Sequence, residues 1–198
     1  MPANPRKLDH AASKIFIERY SPRSFTGEEI PDETLNTFFE AARWAPSSYN
    51  SQPWRFVYAK KGTPDFDKFL HLLVEGNQAW CKDASALLFV CSKKTMKVPN
   101  AEEEVPSRTH SFDAGAAWMS FALQASLSGW HAHGMVGFDH ERAQSELNVP
   151  HDVQVEAAVA VGRLDAPEKL PERYRAGETP NPRKPISETI IAGAFPKA

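Results

Sequence analysis

Residues 113–127 (DAGAAWMSFALQASL) carry small and apolar side chains on nearly every side of what reads as one helix. A surface helix buries one stripe and shows water the opposite face, so a helix that is apolar all round has to be covered all round. This segment therefore predicts a central helix packed on a sheet, with a second surface covering what the rest of a 198-residue domain leaves open. Gly129 stands just past its end, where a C′ glycine belongs.

The other segments supply the partners for such a helix. Residues 11–18 read as a short helix. Asp32 is a candidate N-cap, and Leu35, Phe38, Phe39 and Ala42 follow at i, i+3, i+4 and i+7 until Pro46 ends the pattern. Residues 54–59 are large and β-branched, as in a strand. Phe66, Phe69, Leu70 and Leu73 line one face of a further helix, and residues 85–90 form a buried strand with almost no polar relief. Residues 102–111 are charged and irregular and read as a mobile loop. Residues 131–136 make a short strand, Asp139 caps a helix reaching Leu147, and residues 153–161 are a strand with an apolar centre. Irregular alternation of this kind predicts an α+β architecture, a sheet sandwiched by helices.

Net charge is −2, too balanced to offer a broad basic field to nucleic acid or an acidic membrane. The apolar runs are too short to span a bilayer, and the first ten residues, MPANPRKLDH, lack the apolar centre of a secretory signal. Cys81 and Cys91 are too few for a disulfide framework, so a reducing cytoplasm is the expected setting. Of sixteen prolines, six fall between Pro167 and Pro196. That stretch reads as an extended arm lying on another surface, naturally that of a partner subunit.

Chemistry-bearing residues concentrate in RYSPRSF at 19–25 and APSSYNSQPW at 45–54. Pro22 and Pro46 keep both off regular helix. Their Arg, Ser, Asn and Gln side chains suit an anion and the polar edge of a ring. Other sites are weaker. His131, His133 and His140 invite a metal reading, His-X-His on a strand placing both rings on one face, but no carboxylate or cysteine stands at matching spacing. Cys81 and Cys91 lie in or beside apolar strands, where inert thiols are common. Ser47 and Ser48 lack the glycine context of a hydrolase elbow, and no G-x-G-x-x-G is present.

Taken in order, RYSPRSF, APSSYNSQPW, the NQAW at 77–80 before DASALLFV, the helix opening at Asp113, GMVGFD at 134–139, the Val-Gly-Arg ending at Arg163 and NPRKPIS at 181–187 resemble the nitroreductase family of flavoproteins. The resemblance runs from about Ile15 to Ile190. It implies one FMN-binding domain over residues 1–198, with a mostly antiparallel sheet flanked by helices. It also implies a homodimer, an arm from about residue 165 exchanged between subunits, and NADH or NADPH as transient reductant.

Residue by residue, Arg19, Tyr20 and Ser21 match the stretch that holds the FMN phosphate and polyol. Arg183 matches a phosphate contact in the arm, with Lys184 a second candidate beside it. Arg23 matches the basic residue at the pyrimidine edge, where reduction builds negative charge, and Asn77 an amide at the same ring. Trp80 falls where some relatives carry a second basic residue. Pro46, Ser47, Ser48 and Asn50 resemble the loop that reaches the flavin from the second subunit; Gln52 either contacts it or holds the loop. In the turn formed by Met135, Val136 and Gly137, a backbone N–H would face the hydride-accepting nitrogen. His133 is a candidate for the substrate space. The activity implied is NAD(P)H-dependent reduction of a small electron-poor acceptor, a nitroaromatic or quinone, with no acid–base dyad required because the flavin carries the chemistry. The alternatives are a flavin carrier or redox sensor without turnover, or a family branch that dehalogenates or fragments flavin.

Overall fold

The computed structural model describes residues 4–196. In chain order the elements are α1 (Ile15–Glu18), α2 (Asp32–Arg43), β1 (Trp54–Lys60), α3 (Pro64–Leu72), α4 (Glu75–Cys81), β2 (Ala86–Lys93), β3 (Thr95–Met96), β4 (Val105–Pro106), α5 (His110–Leu127), β5 (His131–Met135), α6 (His140–Glu146), β6 (Val153–Gly162) and α7 (Glu172–Arg175). The main sheet has four strands in the order β1-β2-β6-β5, each neighbour antiparallel. This is the α+β layering expected from the sequence.

Period-two alternation sorts the sheet residues onto two cores. Leu87, Phe89 and Cys91 of β2, with Ala158 and Ala160 of β6, pack against Phe66, Phe69 and Leu72 of α3 and Trp80 of α4. Ala86, Leu88 and Val90, with Val159 and Val161, face Leu35 and Phe38 of α2 and Ala114, Ala117, Phe121, Ala122 and Ala125 of α5. The alanines let α5 lie close to the sheet, and Phe121 meets Phe38 edge-on at 5.5 Å.

Several expectations shift. Helix α5 begins at His110, and part of the 102–111 loop is ordered by the β3–β4 pairing, which Glu104 ties through Lys93 and Thr95. Pro31, not Asp32, occupies the N-cap position of α2; Asp32 is the first helical residue and bonds Lys60 Nζ at 2.7 Å. Helix α4 was hidden because its seven residues, EGNQAWC, include a glycine and an asparagine that favour turns. Asp139 does cap α6, accepting from the Arg142 N–H at 3.0 Å.

The C-terminal stretch divides in two. From Leu164 the chain runs back over its own protomer: Leu170 and Glu178 are buried and the Tyr174 hydroxyl donates to the Gly76 carbonyl at 2.6 Å. An arm free of the protomer from residue 165 onward is therefore corrected: only residues 181–196 are exposed throughout. Three or four anchors spread over a polar, proline-rich stretch leave no periodic signal.

Gly162 fixes where the 19–25 segment sits. A Cβ there would meet Phe25 ring and β-carbon atoms at 2.6–3.0 Å. Phe25 bridges to Leu164, and the Thr26 N–H donates to Arg163 O, so the segment has no room to retreat. Gly162→Ala is expected to cost ~1–3 kcal/mol through overpacking. Urea unfolding should show it as a lower midpoint at unchanged slope; an unchanged midpoint would contradict the packing described.

Candidate functional site

The 19–25 segment lies beside β5. The Tyr20 ring meets His131 edge-on at 5.3 Å, and His133 Nδ1 donates to the Pro22 carbonyl at 2.9 Å. Burial, with the charge of Arg19 adding for both and that of Arg23 for His133, lowers both histidines to a pKa of about 4, so both rings are neutral at physiological pH. His133 packs against Trp80 at 4.8 Å. It braces the segment.

At one end of this segment cations gather. One terminal guanidinium nitrogen of Arg19 lies 3.3 Å from Ser21 Oγ, while its Nε is buried without a hydrogen-bond partner. Arg6 donates to Arg19 O at 2.6 Å and to Asn181 O at 2.6 Å, tying the N-terminal segment to the start of the arm. Burial and the charge of Arg183 lower the pKa of both Arg19 and Arg6. Among the described residues, none of Arg6, Arg19 and Arg183 forms a salt bridge with a carboxylate, and Lys184 pairs only with exposed Glu188. A cavity of about 360 Å³ opens beside Arg6, Lys7, Arg183 and Lys184. Asp9 is the one acid on the wall of that cavity, against four cations. Three guanidinium groups without an ion-paired carboxylate repel one another, and an anion relieves that repulsion.

At the other end, Arg23 and Ser24 give their backbone N–H groups to Glu178 Oε1 at 2.6 and 2.8 Å. The Arg23 guanidinium lies 4.0 Å from Glu178 Oε2 and 5.9 Å from the centre of the Tyr174 ring. Nearby, the Met135–Gly137 turn leaves β5. Val136 is 71% exposed, and no acceptor among the described residues meets the N–H of Val136 or Gly137. Asn77 Nδ2 donates to the Gly137 carbonyl at 3.0 Å, so this amide braces the turn; a Cβ on Gly137 would meet it at 2.5 Å.

The loop over residues 46–52 stands elsewhere, at the first turn of α5. Asp113 Oδ2 accepts from the Ser48 N–H at 3.1 Å and from Thr109 Oγ1 at 3.0 Å. Tyr49, Asn50 and Gln52 all have positive φ, and the Gln52 N–H donates to Ser47 Oγ at 3.0 Å. Left-handed backbone at three non-glycine positions so close together is strain held in place by its surroundings, a habit of binding loops. Pro46, Asn50 and Gln52 are exposed.

The structure thus gathers Arg19, Tyr20, Ser21, Arg23, the 135–137 turn and Arg183 along one edge, and leaves Ser47, Ser48, Asn50 and Gln52 apart from Arg19. Sequence reading missed Arg6 and Glu178. Arg6 carries a weak signal, a basic residue beside prolines; Glu178 carries none, being 155 residues from its partner Arg23. It also missed a polar cluster in which Ser92 Oγ meets His110 Nδ1 and Glu156. Ser92 Oγ bridges His110 Nδ1 at 2.8 Å and Glu156, whose Oε1 lies 3.6 Å from that ring nitrogen, so the cluster ties α5 to β2 and β6. The thiols are inert in this setting: both are buried, which raises Cys81 strongly and, with the Glu156 charge adding, Cys91 to about 11. Among the described residues, no three His, Cys, Asp or Glu converge as metal ligands, and no helix is long and apolar enough to cross a membrane.

The sequence model described as the nitroreductase family matches residues 17–163. A Thermus thermophilus protein named NADH dehydrogenase is 26% identical over 178 residues, 76% of this chain and 85% of that one. An oxygen-insensitive NADPH nitroreductase of Helicobacter pylori is 38% identical over 89 residues, 44% of this chain and 41% of that one. A crystal structure described as an oxidoreductase containing FMN is 45% identical, with a TM-score of 0.94 and full coverage of both chains. With the family pattern spanning most of the chain and a homologous structure following its whole length, this protein belongs to the nitroreductase family.

Proposed function

We propose that the protein is an FMN-dependent oxidoreductase that takes reducing equivalents from NADH or NADPH and passes them to small electron-poor acceptors such as nitroaromatics or quinones, the two substrates visiting one site in turn. The observation that carries this reading is the cation set: Arg19 with a buried, unpartnered Nε, joined by Arg183 and Arg6, none of them in a salt bridge among the described residues, beside a cavity where Arg6, Lys7, Arg183 and Lys184 outnumber Asp9. Such a set fits a terminal phosphate dianion. The FMN of the 45%-identical relative and the NADPH in the name of the Helicobacter protein support the choice of cofactor and reductant.

In this reading Arg19, Ser21 and Arg183 hold the phosphate, with Arg6 fixing Arg19 and the arm and Lys184 beside them. Tyr20 packs the polyol side. Arg23 stands at the ring edge that gains negative charge on reduction, and its cation favours that state. The unpaired N–H of Val136 or Gly137 faces the ring nitrogen, in a turn fixed by Asn77. When bound, FMN supplies the redox chemistry itself. Buried, unpaired Cys81 and Cys91 support a cytoplasmic setting.

Heat-released cofactor should run with an FMN standard, and mixing the yellow protein with NADH or NADPH should bleach it rapidly before an acceptor panel restores the colour. Recovery of FAD would sink the phosphate assignment. Bound FMN that neither nucleotide reduces would favour a carrier or sensor. Arg19→Ala should weaken FMN binding about ten- to a hundredfold, the ~1.5–3 kcal/mol of one charge-assisted contact; fluorescence titration with an unchanged Kd would remove Arg19 from the site.

The same reading requires a homodimer. Asp113 anchors the 46–52 loop at the first turn of α5, whereas Tyr20 and His131 border a cavity with Ser126 and Leu127 of its last turn. At 1.5 Å per residue these lie roughly 20 Å apart along the helix. One protomer therefore does not bring its own Ser47, Ser48 and Asn50 to its Arg19, and a partner's loop fills that role. Helix α5 also exposes Phe112, Met119 and Leu127, and the arm exposes Ile190, Ile191 and Phe195. A twofold contact buries such a stripe. Sedimentation at low concentration should give a dimer, and truncation after Pro180 should weaken it; a monomer that retains FMN would overturn the two-subunit site.

A further inference from the structure

Glu178 is a buried carboxylate that the reading above does not use. It is 2% exposed and sits in the part of the C-terminal stretch anchored on its own protomer. Its two oxygens do different things. Oε1 accepts the backbone N–H groups of Arg23 and Ser24 and so fixes the 19–25 segment. Oε2 is buried with no hydrogen-bond partner, 4.0 Å from the Arg23 guanidinium. A glutamine amide oxygen would serve the first purpose equally well. Keeping a dry carboxylate, with a spare oxygen turned toward the arginine, carries a desolvation cost that holding the backbone does not require.

The surroundings leave that charge unscreened. Asp113, the other buried carboxylate among the described residues, is at the first turn of α5. His131 and His133 are neutral, held at about 4 mainly by burial. The Tyr20 hydroxyl is buried and unpartnered, and burial together with the Glu178 charge pushes its pKa up to about 12, a second sign that this field reaches along the segment.

We propose that Glu178 is a positioning residue that tunes the reduction potential of the bound flavin: it fixes the Arg23 backbone, and its charge offsets part of the positive field of the guanidinium at the ring edge. The proposal rests on the FMN reading above. A negative charge near a ring that becomes more negative on reduction disfavours the reduced state, so its removal raises the potential.

The test is a redox titration of FMN-loaded wild type, Glu178→Gln, Arg23→Gln and the double variant against a reference dye, with FMN affinity and thermal unfolding measured alongside. Glu178→Gln should shift the equilibrium toward reduced flavin about tenfold, about 30 mV for a two-electron couple, while FMN affinity moves far less. Arg23→Gln should shift it the other way, and the double variant should return toward wild type. An FMN-loaded Glu178→Gln protein with the wild-type potential would overturn the proposal alone, whereas wild type that takes up no FMN would overturn the cofactor reading and the proposal with it. If Glu178→Gln does not fold by itself, the double variant decides: a potential equal to that of Arg23→Gln counts against the proposal. Loss of fold in both variants would leave Glu178 a structural role only and overturn it.

Discussion

The burial of α5 organises this molecule. Its alanines and Phe121 close one side against the sheet and α2, and they do so because small residues let backbone approach backbone without a gap. Once α5 is seated, its two ends become fixed platforms. The first turn presents Asp113 to a loop whose backbone would not hold left-handed geometry unaided. The last turn, through Gly129 and β5, delivers His131 and His133 to the 19–25 segment. The side of α5 that the protomer leaves open exposes Phe112, Met119 and Leu127, the face assigned above to the proposed twofold contact.

Charge is distributed with equal economy. One end of the 19–25 segment concentrates Arg6, Arg19 and Arg183 with no carboxylate ion-paired to them among the described residues, a repulsive arrangement in the absence of an anion. The other end carries one arginine with one buried carboxylate beside it. In the proposed reading the contrast matches the two ends of the cofactor. A phosphate keeps its charge throughout, so an uncompensated cation set suits it. A redox ring changes charge as it works, so the field there has to be graded and not merely positive.

The C-terminal stretch serves two purposes. Residues up to about 180 are held by Leu170, Tyr174 and Glu178, and they lock the 19–25 segment from outside. Residues 181–196 are exposed throughout, with Asn181 and Arg183 still beside Arg6 at their start and bulky apolar side chains further on. In the proposed dimer, an anchored half and an exposed half of one proline-rich run would couple the site to the partner.

Much of this was legible in the residues. Periodicity located α2, α3, α5 and the sheet strands, because burial on one or both faces writes directly into the order of apolar residues. The polar proline-broken segments at 19–25 and 45–54 stood out as candidate binding segments, because prolines and dense hydrogen-bonding side chains are informative locally; that the two lie apart within one protomer was not legible there. What the sequence did not reveal depends on contacts between distant positions. Helix α4 exists because Trp80 and Cys81 find a core, not because EGNQAWC favours helix. Asn77 is occupied by Gly137, Gly162 is required by Phe25, and Glu178 finds Arg23 across most of the chain. Local propensity and spacing determined most of the elements. Only the tertiary structure decided which charge faces which, because that depends on distance in space, which sequence order does not encode.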